Sequence, residues 1–307
     1  MTDDIVLRTF RLGKRYGARW AVRDLDLTVR RGEVFGFLGP NGAGKSTTIR
    51  MLLSLIRPTT GKVELFGLPL RRRRASVLAR VGGLVESADF YLYLPARKNL
   101  EIIADLKGGL PSRAIDEALD TVGLTARAAD KVKSFSHGMK QRLGLAGALL
   151  GTPEFIILDE PTTGLDPQGI KEVRDLIVRL ASERRMTIFL SSHLLAEIEQ
   201  VASSMAIING GSLVVQGNVS ELLNSGTGKV RVAATPLDRA LRIIRRQSYG
   251  REAQVAGDAI VVPMPADKVP ALNAQLVRAG VQVRALVPMR SLEEYFLSIT
   301  EGASDIR

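Results

Sequence analysis

The chain has 307 residues, 45% of them apolar and 24% charged, with a net charge of +11, two histidines and no cysteine. That composition describes a globular protein long enough for a large core and two domains. The lack of cysteine excludes disulfides, thiolate metal sites and thiol nucleophiles, and His137 and His193 alone cannot build a histidine-rich metal site.

The first residues, Met1-Thr2-Asp3-Asp4, are acidic and have no long apolar stretch behind them, unlike a signal peptide. No uncharged apolar run reaches the roughly 18–20 residues that span a bilayer, so a cytoplasmic protein is expected. The positive charge suits nucleic acid, an anionic membrane surface, or solubility alone. Its densest cluster, Arg71-Arg72-Arg73-Arg74, reads either as a solvated helix start or as a contact for lipid headgroups or an acidic partner.

Residues 5–30 alternate as in a half-buried antiparallel sheet, for example Leu25-Asp26-Leu27-Thr28-Val29, and Lys62-Val63-Glu64-Leu65 repeats the pattern. Between them, residues 33–38 read as a short buried strand and residues 47–55 as a helix. The junction is Gly39-Pro40-Asn41-Gly42-Ala43-Gly44-Lys45-Ser46, which fits G-x-x-x-x-G-K-[ST] at every fixed position, with Thr47 next. Glycines there let successive N–H groups curl around a triphosphate, and the helix N-terminus adds partial positive charge. Lys45 can reach the β- and γ-phosphates, and the Ser46 hydroxyl can ligate Mg²⁺.

Residues 96–134 carry helical spacing at Leu100, Ile103 and Leu106, then at Ile115, Leu119 and Val122. Phe155-Ile156-Ile157-Leu158 and Thr187-Ile188-Phe189-Leu190 lack alternation and fit central strands buried on both faces. Strand and helix segments alternate, which predicts an α/β fold with a largely parallel sheet. Residues 206–215 read as a hairpin around Asn209-Gly210-Gly211. Asn224-Ser225-Gly226-Thr227-Gly228 marks a linker, and the order β-α-β-β-α-β follows, a split βαβ arrangement of ferredoxin-like type. A last helix is expected over residues 292–299, packing by Leu292, Tyr295 and Phe296. No catalytic constellation falls in this part, so a packing, dimerising or regulatory role is its default.

The strand 155–158 ends in Asp159-Glu160. A carboxylate at a strand end beside a phosphate loop suits Mg²⁺, and its neighbour can polarise an attacking water. Pro161-Thr162-Thr163-Gly164-Leu165-Asp166 follows directly. With these motifs the chain resembles an ATP-binding-cassette (ABC) protein, the nucleotide-binding subunit of an ABC transporter, over about residues 5–222. The resemblance implies a P-loop NTPase core with an antiparallel β subdomain and an α-helical insertion, plus the small C-terminal α+β domain. The expected domains are then an ATP-binding domain at residues 1–223 with its helical part at about 86–150, the linker at 224–228 and the accessory domain at 229–302.

The resemblance also implies roles. Tyr16 sits where the family stacks an aromatic on adenine. Ser136-His137-Gly138-Met139-Lys140-Gln141-Arg142 sits where the family carries L-S-G-G-Q, so Ser136 and Gly138 would bind the γ-phosphate held by a partner chain. Asp166 would lie at the subunit junction, and His193 matches the switch histidine. ATP and Mg²⁺ would be sandwiched between this chain and a second copy or a close relative, driving a separate integral-membrane permease from the inner face of the membrane. No nucleic acid partner is implied. The signature departs at Phe135, His137 and Met139; His137 is either an added phosphate or cross-subunit contact or a tolerated surface residue. Glu86 takes the position where the family usually has glutamine, adding charge and removing an amide donor, and is a candidate metal and catalytic contact. A glutamate there resembles exporters of the bacitracin and lantibiotic self-protection type, so export of a drug, peptide antibiotic or lipid-like substrate is expected. Phe90, Tyr91 and Tyr93 either fill the local core or form the permease interface. The alternative is a soluble ABC ATPase acting on ribosomes or DNA, although the chain has one phosphate loop, one signature and no long heptad tract.

Overall fold

Period-two side chains at the N-terminus give an antiparallel sheet in the computed structural model, which describes residues 4–85, 89–225 and 228–289. The long strand β1 (Ile5–Tyr16) pairs antiparallel with β2 (Arg19–Leu25) and with β3 (Thr28–Arg30). The next strand, β4 (Val34–Leu38), is buried along its whole length and leaves this sheet for another. It runs through the phosphate-loop motif into α1 (Lys45–Leu52). The chain then returns to the antiparallel sheet as β5 (Thr60–Leu65), paired with β1, and β6 (Leu68–Pro69).

Short α2 (Arg74–Leu78) leads to β7 (Val81–Leu84). The helical insertion follows as α3 (Ala96–Leu106), α4 (Ser112–Thr121) and α5 (His137–Leu149), with two single 3₁₀ turns before α5. The predicted spacing in α3 holds for Leu100, which is buried, but Leu106 is 84% exposed because it is the last residue of its helix. The core resumes with β8 (Phe155–Asp159), α6 (Pro167–Arg184), β9 (Thr187–Ser192), α7 (Leu195–Val201), β10 (Ser204–Asn209) and β11 (Ser212–Asn218).

The central sheet has the order β11-β10-β4-β9-β8-β7, parallel except for β11. Strands buried on both faces explain why their sequences are continuously apolar. On one face Phe35 and Phe189, cross-strand partners, stack with ring centroids 5.5 Å apart, and Phe37 meets Phe189 at 5.2 Å. This aromatic layer joins Leu7, Val29, Val63 and Leu65 of the antiparallel sheet in one core. On the other face Gly36 leaves room for α7: a Cβ there would sit 2.4 Å from Ile198 Cγ2. Arg80 donates to Glu154 at 2.6 and 2.9 Å and Arg31 at 3.0 Å, fastening the start of β8 to both sheets.

The chain divides into two units, Met1–Val219 and Ser220–Arg307. The connecting helix α8 (Val219–Ser225) makes the first two residues of the expected linker helical. In the second unit β12 (Lys229–Thr235), α9 (Leu237–Arg245), β13 (Gln254–Ala256), β14 (Ala259–Pro263), α10 (Val269–Arg278) and β15 (Gln282–Met289) form an antiparallel sheet of order β13-β14-β12-β15. That is the split βαβ order predicted for this region. Its own core holds Val230, Val232, Ile244, Ile260, Leu272 and Leu276. The helix expected over residues 292–299 lies outside the described residues, as does Glu86.

Candidate nucleotide site

The phosphate-loop motif sits where two backbones nearly touch. Gly39 follows β4, and a Cβ on it would lie 2.5 Å from the Ile208 carbonyl oxygen. Gly44 has φ +105° and a Cβ on it would lie 2.4 Å from the Ala21 carbonyl oxygen. Both positions therefore exclude a side chain, one for space and one for space and conformation together. The loop opens α1, whose first residues border a cleft of about 410 Å³. Asn41, Gly42, Gly44, Lys45, Ser46 and Thr47 line it from the loop, and Tyr16, Arg19 and Ala21 from the β1–β2 hairpin. Pro40 and Ala43 shape the turn, with Ala43 N–H donating to Pro40 O at 3.1 Å. Tyr16 is 51% exposed at the cleft edge, with Lys14 Nζ 5.1 Å from its ring centre.

Lys45 is buried, and its ammonium donates to Gly39 O at 2.8 Å and Pro40 O at 3.4 Å. The same nitrogen lies 3.2 Å from Glu160 Oε1. Glu160 also lines the cleft, so the strand end β8 faces the loop across it. Its other oxygen, Oε2, accepts from Thr163 Oγ1 at 2.9 Å and lies 3.1 Å from His193 Nδ1. Glu160 has φ +47°, a left-handed backbone that costs a non-glycine residue about 1–3 kcal/mol. Burial pushes its carboxyl upward in pKa, but the Thr163 hydroxyl, the Lys45 ammonium and His193 outweigh this and hold it below the ordinary carboxylate value. It is thus an ionised acceptor, aimed by three partners.

Ser191, fully buried on β9, supports the neighbouring carboxylate. Its hydroxyl donates to Asp159 Oδ1 at 2.6 Å and accepts from the Glu160 N–H at 2.9 Å. Asp159 is 3% exposed, and its Oδ2 is buried with no hydrogen-bond partner among the described residues. A buried carboxylate oxygen without a donor fits the shell of a cation, directly or through water. Among the described residues no three His, Asp or Glu side chains gather closely enough to hold a metal alone, so phosphate oxygens and the Ser46 hydroxyl would complete such a shell.

Ser136, Gly138 and Asp166 line a different surface. Ser136 caps α5, its hydroxyl accepting from Met139 N–H at 3.2 Å, and Asp166 caps α6, accepting from Gly169 N–H at 3.0 Å. A Cβ on Gly138 would lie 3.9 Å from Leu165 Cδ2, and one on Gly164 3.4 Å from His137 Nε2. The signature segment and the turn ending at Asp166 therefore pack together, and neither lines the phosphate-loop cleft. His137 is thus seated against Gly164 of its own chain.

Two positioning residues were not singled out by the sequence, Ser191 and Thr163, nor was Arg19, which lines the cleft. Hydroxyl residues crowd both strand ends, in Thr162-Thr163 after Glu160 and Ser191-Ser192 before His193, and that clustering was the available signal. Near the insertion, Tyr91 and Tyr93 are 52% and 65% exposed and pack edge to face at 6.1 Å, so they do not fill the local core. Buried Asn99 holds their loop, accepting from Tyr91 N–H at 2.8 Å and donating to Tyr91 O and Pro95 O.

Comparison with known proteins identifies the family. The family model for the ABC transporter matches residues 22–163. The bacitracin transport ATP-binding protein BcrA of Bacillus licheniformis is 42% identical over 301 residues, covering 97% of this chain and 98% of that protein. The lantibiotic transport ATP-binding protein SrtF of Streptococcus pyogenes is 37% identical over 226 residues, covering 72% of this chain and 96% of its own. A solved ATP-binding subunit of an ABC transporter superposes with a TM-score of 0.63 at 28% identity, covering 71% of this chain and 91% of that one.

Proposed function

The chain belongs to the ABC transporter family as an ATP-binding subunit, an ATPase coupled to transport, and from that premise we propose how its residues divide the work. The loop from Gly39 to Ser46, with Thr47, holds the triphosphate, and Tyr16 stacks on adenine. Lys45 binds the β- and γ-phosphates. Ser46 and Asp159 hold Mg²⁺, which when bound neutralises charge on the β- and γ-phosphates. Glu160 orients and polarises the attacking water, and His193 fixes Glu160 and the γ-phosphate. Glu86, outside the described residues, is assigned to the metal and water from its sequence position.

Ser136, Gly138 and Asp166 act on the ATP held by a partner, a second copy or a close relative, so that two ATP molecules are enclosed per dimer. One observation carries this reading: Ser136, Gly138 and Asp166 do not line the cleft that Lys45, Ser46 and Glu160 share. The dimer drives a separate integral-membrane permease, at the inner face of the cell membrane. No helix among the described residues is long and apolar enough to cross a membrane, which leaves the span to that partner. The exposed Tyr91-Leu92-Tyr93 loop offers the permease an apolar, aromatic surface. Residues 1–223 form the ATP-binding domain and residues 229–302 an accessory domain. The relatives' names point to transport of a peptide antibiotic of the bacitracin or lantibiotic class, with export as the direction expected from the sequence.

Replacing Glu160 with Gln separates binding from turnover. The variant should bind ATP and form a stable dimer, while hydrolysis falls by about a hundredfold or more. Hydrolysis at the wild-type rate would remove Glu160 from its assigned role.

A further inference from the structure

The β8 and β9 strands run parallel and in register as far as Asp159 and Ser191. Glu160 and His193, whose side chains meet at 3.1 Å, lie just beyond the last paired rung. Something other than the ladder must therefore fix the spacing of the two turns. Ser191 does so at the rung itself. One step farther out, Glu197 of α7 bonds to both turns. Its Oε2 accepts from Thr162 Oγ1 at 2.6 Å and from Ser192 Oγ at 3.2 Å. Thr162 is two residues past Glu160, and Ser192 is the residue before His193. Ser192 also accepts from Leu194 N–H at 2.9 Å, which tightens the turn carrying the histidine.

Glu197 is itself held from behind. Its neighbours Leu195 and Ile198 are buried, and Ile198 occupies the space left by Gly36 on β4. The second carboxylate oxygen, Oε1, is buried with no partner among the described residues. The side chain borders a cavity of about 90 Å³ that Arg174 also lines, room for water against that oxygen. A carboxylate that keeps one oxygen unpaired while the other binds two hydroxyls is there for what it joins, because charge burial alone would not favour it.

We propose that Glu197 is a positioning residue, clasping the turn after Glu160 to the turn that carries His193 and so setting the Glu160–His193 contact on which turnover depends. The proposal rests on the assignment of Glu160 and His193 to ATP hydrolysis. The clasp touches neither the phosphate loop nor the adenine edge, so it acts on kcat and leaves nucleotide binding alone. It also joins the histidine to the segment that runs on to Asp166, so a shift of that segment reaches His193 through one side chain.

The test uses the full chain, with MgATP turnover, nucleotide binding and thermal midpoint measured together. Glu197→Ala should lower kcat by about tenfold, the loss expected for a charge-assisted hydrogen bond, with KM for ATP within about twofold of wild type. Glu197→Gln keeps an acceptor for both hydroxyls and should recover most of that loss. Thr162→Val should reproduce the kcat defect, and the double variant should be no worse than the more severe single one, because both remove one clasp. The proposal is overturned if Glu197→Ala keeps wild-type kcat, or if its defect lies in KM or thermal midpoint with Thr162→Val unaffected. Should Glu197→Ala not fold, wild-type kcat in Thr162→Val alone overturns it. Failure of the underlying assignment is read separately: Glu160→Gln would then hydrolyse ATP normally, whatever Glu197 does.

Discussion

The two walls of the nucleotide cleft are built by opposite means. The phosphate-loop wall is held by backbone: Gly39 and Gly44 bring main chains within contact distance of Ile208 and Ala21, and Lys45 turns back onto two carbonyls. The facing wall, at the ends of β8 and β9, is held by side chains: Ser191 bonds Asp159, Thr163 bonds Glu160, and Glu197 bonds the Thr162 and Ser192 hydroxyls of the adjoining turns. A wall of backbone is rigid and intolerant. A wall of hydroxyl contacts can be loosened one bond at a time.

That contrast breaks first at Gly44. Gly44→Ala forces a Cβ against Ala21 O in a left-handed backbone, and should cost about 2–4 kcal/mol of stability together with measurable ATP binding. A folded variant that binds ATP normally would mean the backbone wall is softer than its geometry. Next comes Ser191→Ala, which removes the donor to Asp159 and the acceptor for Glu160 N–H while leaving the loop intact. Turnover should fall by about tenfold to a hundredfold with nucleotide affinity nearly unchanged, checked by steady-state kinetics beside equilibrium binding.

The smallest effect lies outside both walls, in the fastening of β8. Arg80 and then Arg31 hold the Glu154 carboxyl down to about 2 from its ordinary 4.5. A depressed acid stabilises the fold above its unfolded pKa and loses that contribution as pH falls from about 4.5 toward 2. Because the carboxylate is partly exposed, the gain is at most about 1 kcal/mol. Thermal melts of Glu154→Gln should fall below wild type at pH 7 and converge with it near the low end of that window. Parallel melts at every pH would place the stabilisation elsewhere.

The same contrast governs how much could be read from the sequence. Backbone chemistry demands particular residues at fixed spacing, so the phosphate loop was legible as a string, and strands buried on both faces were legible as unbroken apolar runs. The split βαβ order of the second unit followed from alternating periods in the same way. Side-chain contacts between distant segments leave no such spacing: Ser191 and Glu197 are ordinary residues until β8 and β9 lie side by side. Periodicity also says nothing about where a helix stops, which is why Leu106, in step with Leu100 and Ile103, ends up in solvent. Tyr91 and Tyr93 show the same limit, since aromatic content alone cannot distinguish a filled core from a bare surface.

The segregation of Ser136, Gly138 and Asp166 from the phosphate-loop cleft has a kinetic consequence. When each chain lends one surface and borrows the other, hydrolysis by the free subunit is second order in protein. Dilution should lower the rate per molecule, and an excess of ATP cannot restore it. A chain defective in only one surface should still serve a partner defective in the other: mixing Lys45→Ala with Ser136→Ala chains leaves one sound composite site in each mixed pair. Such a mixture should be more active than either variant by itself.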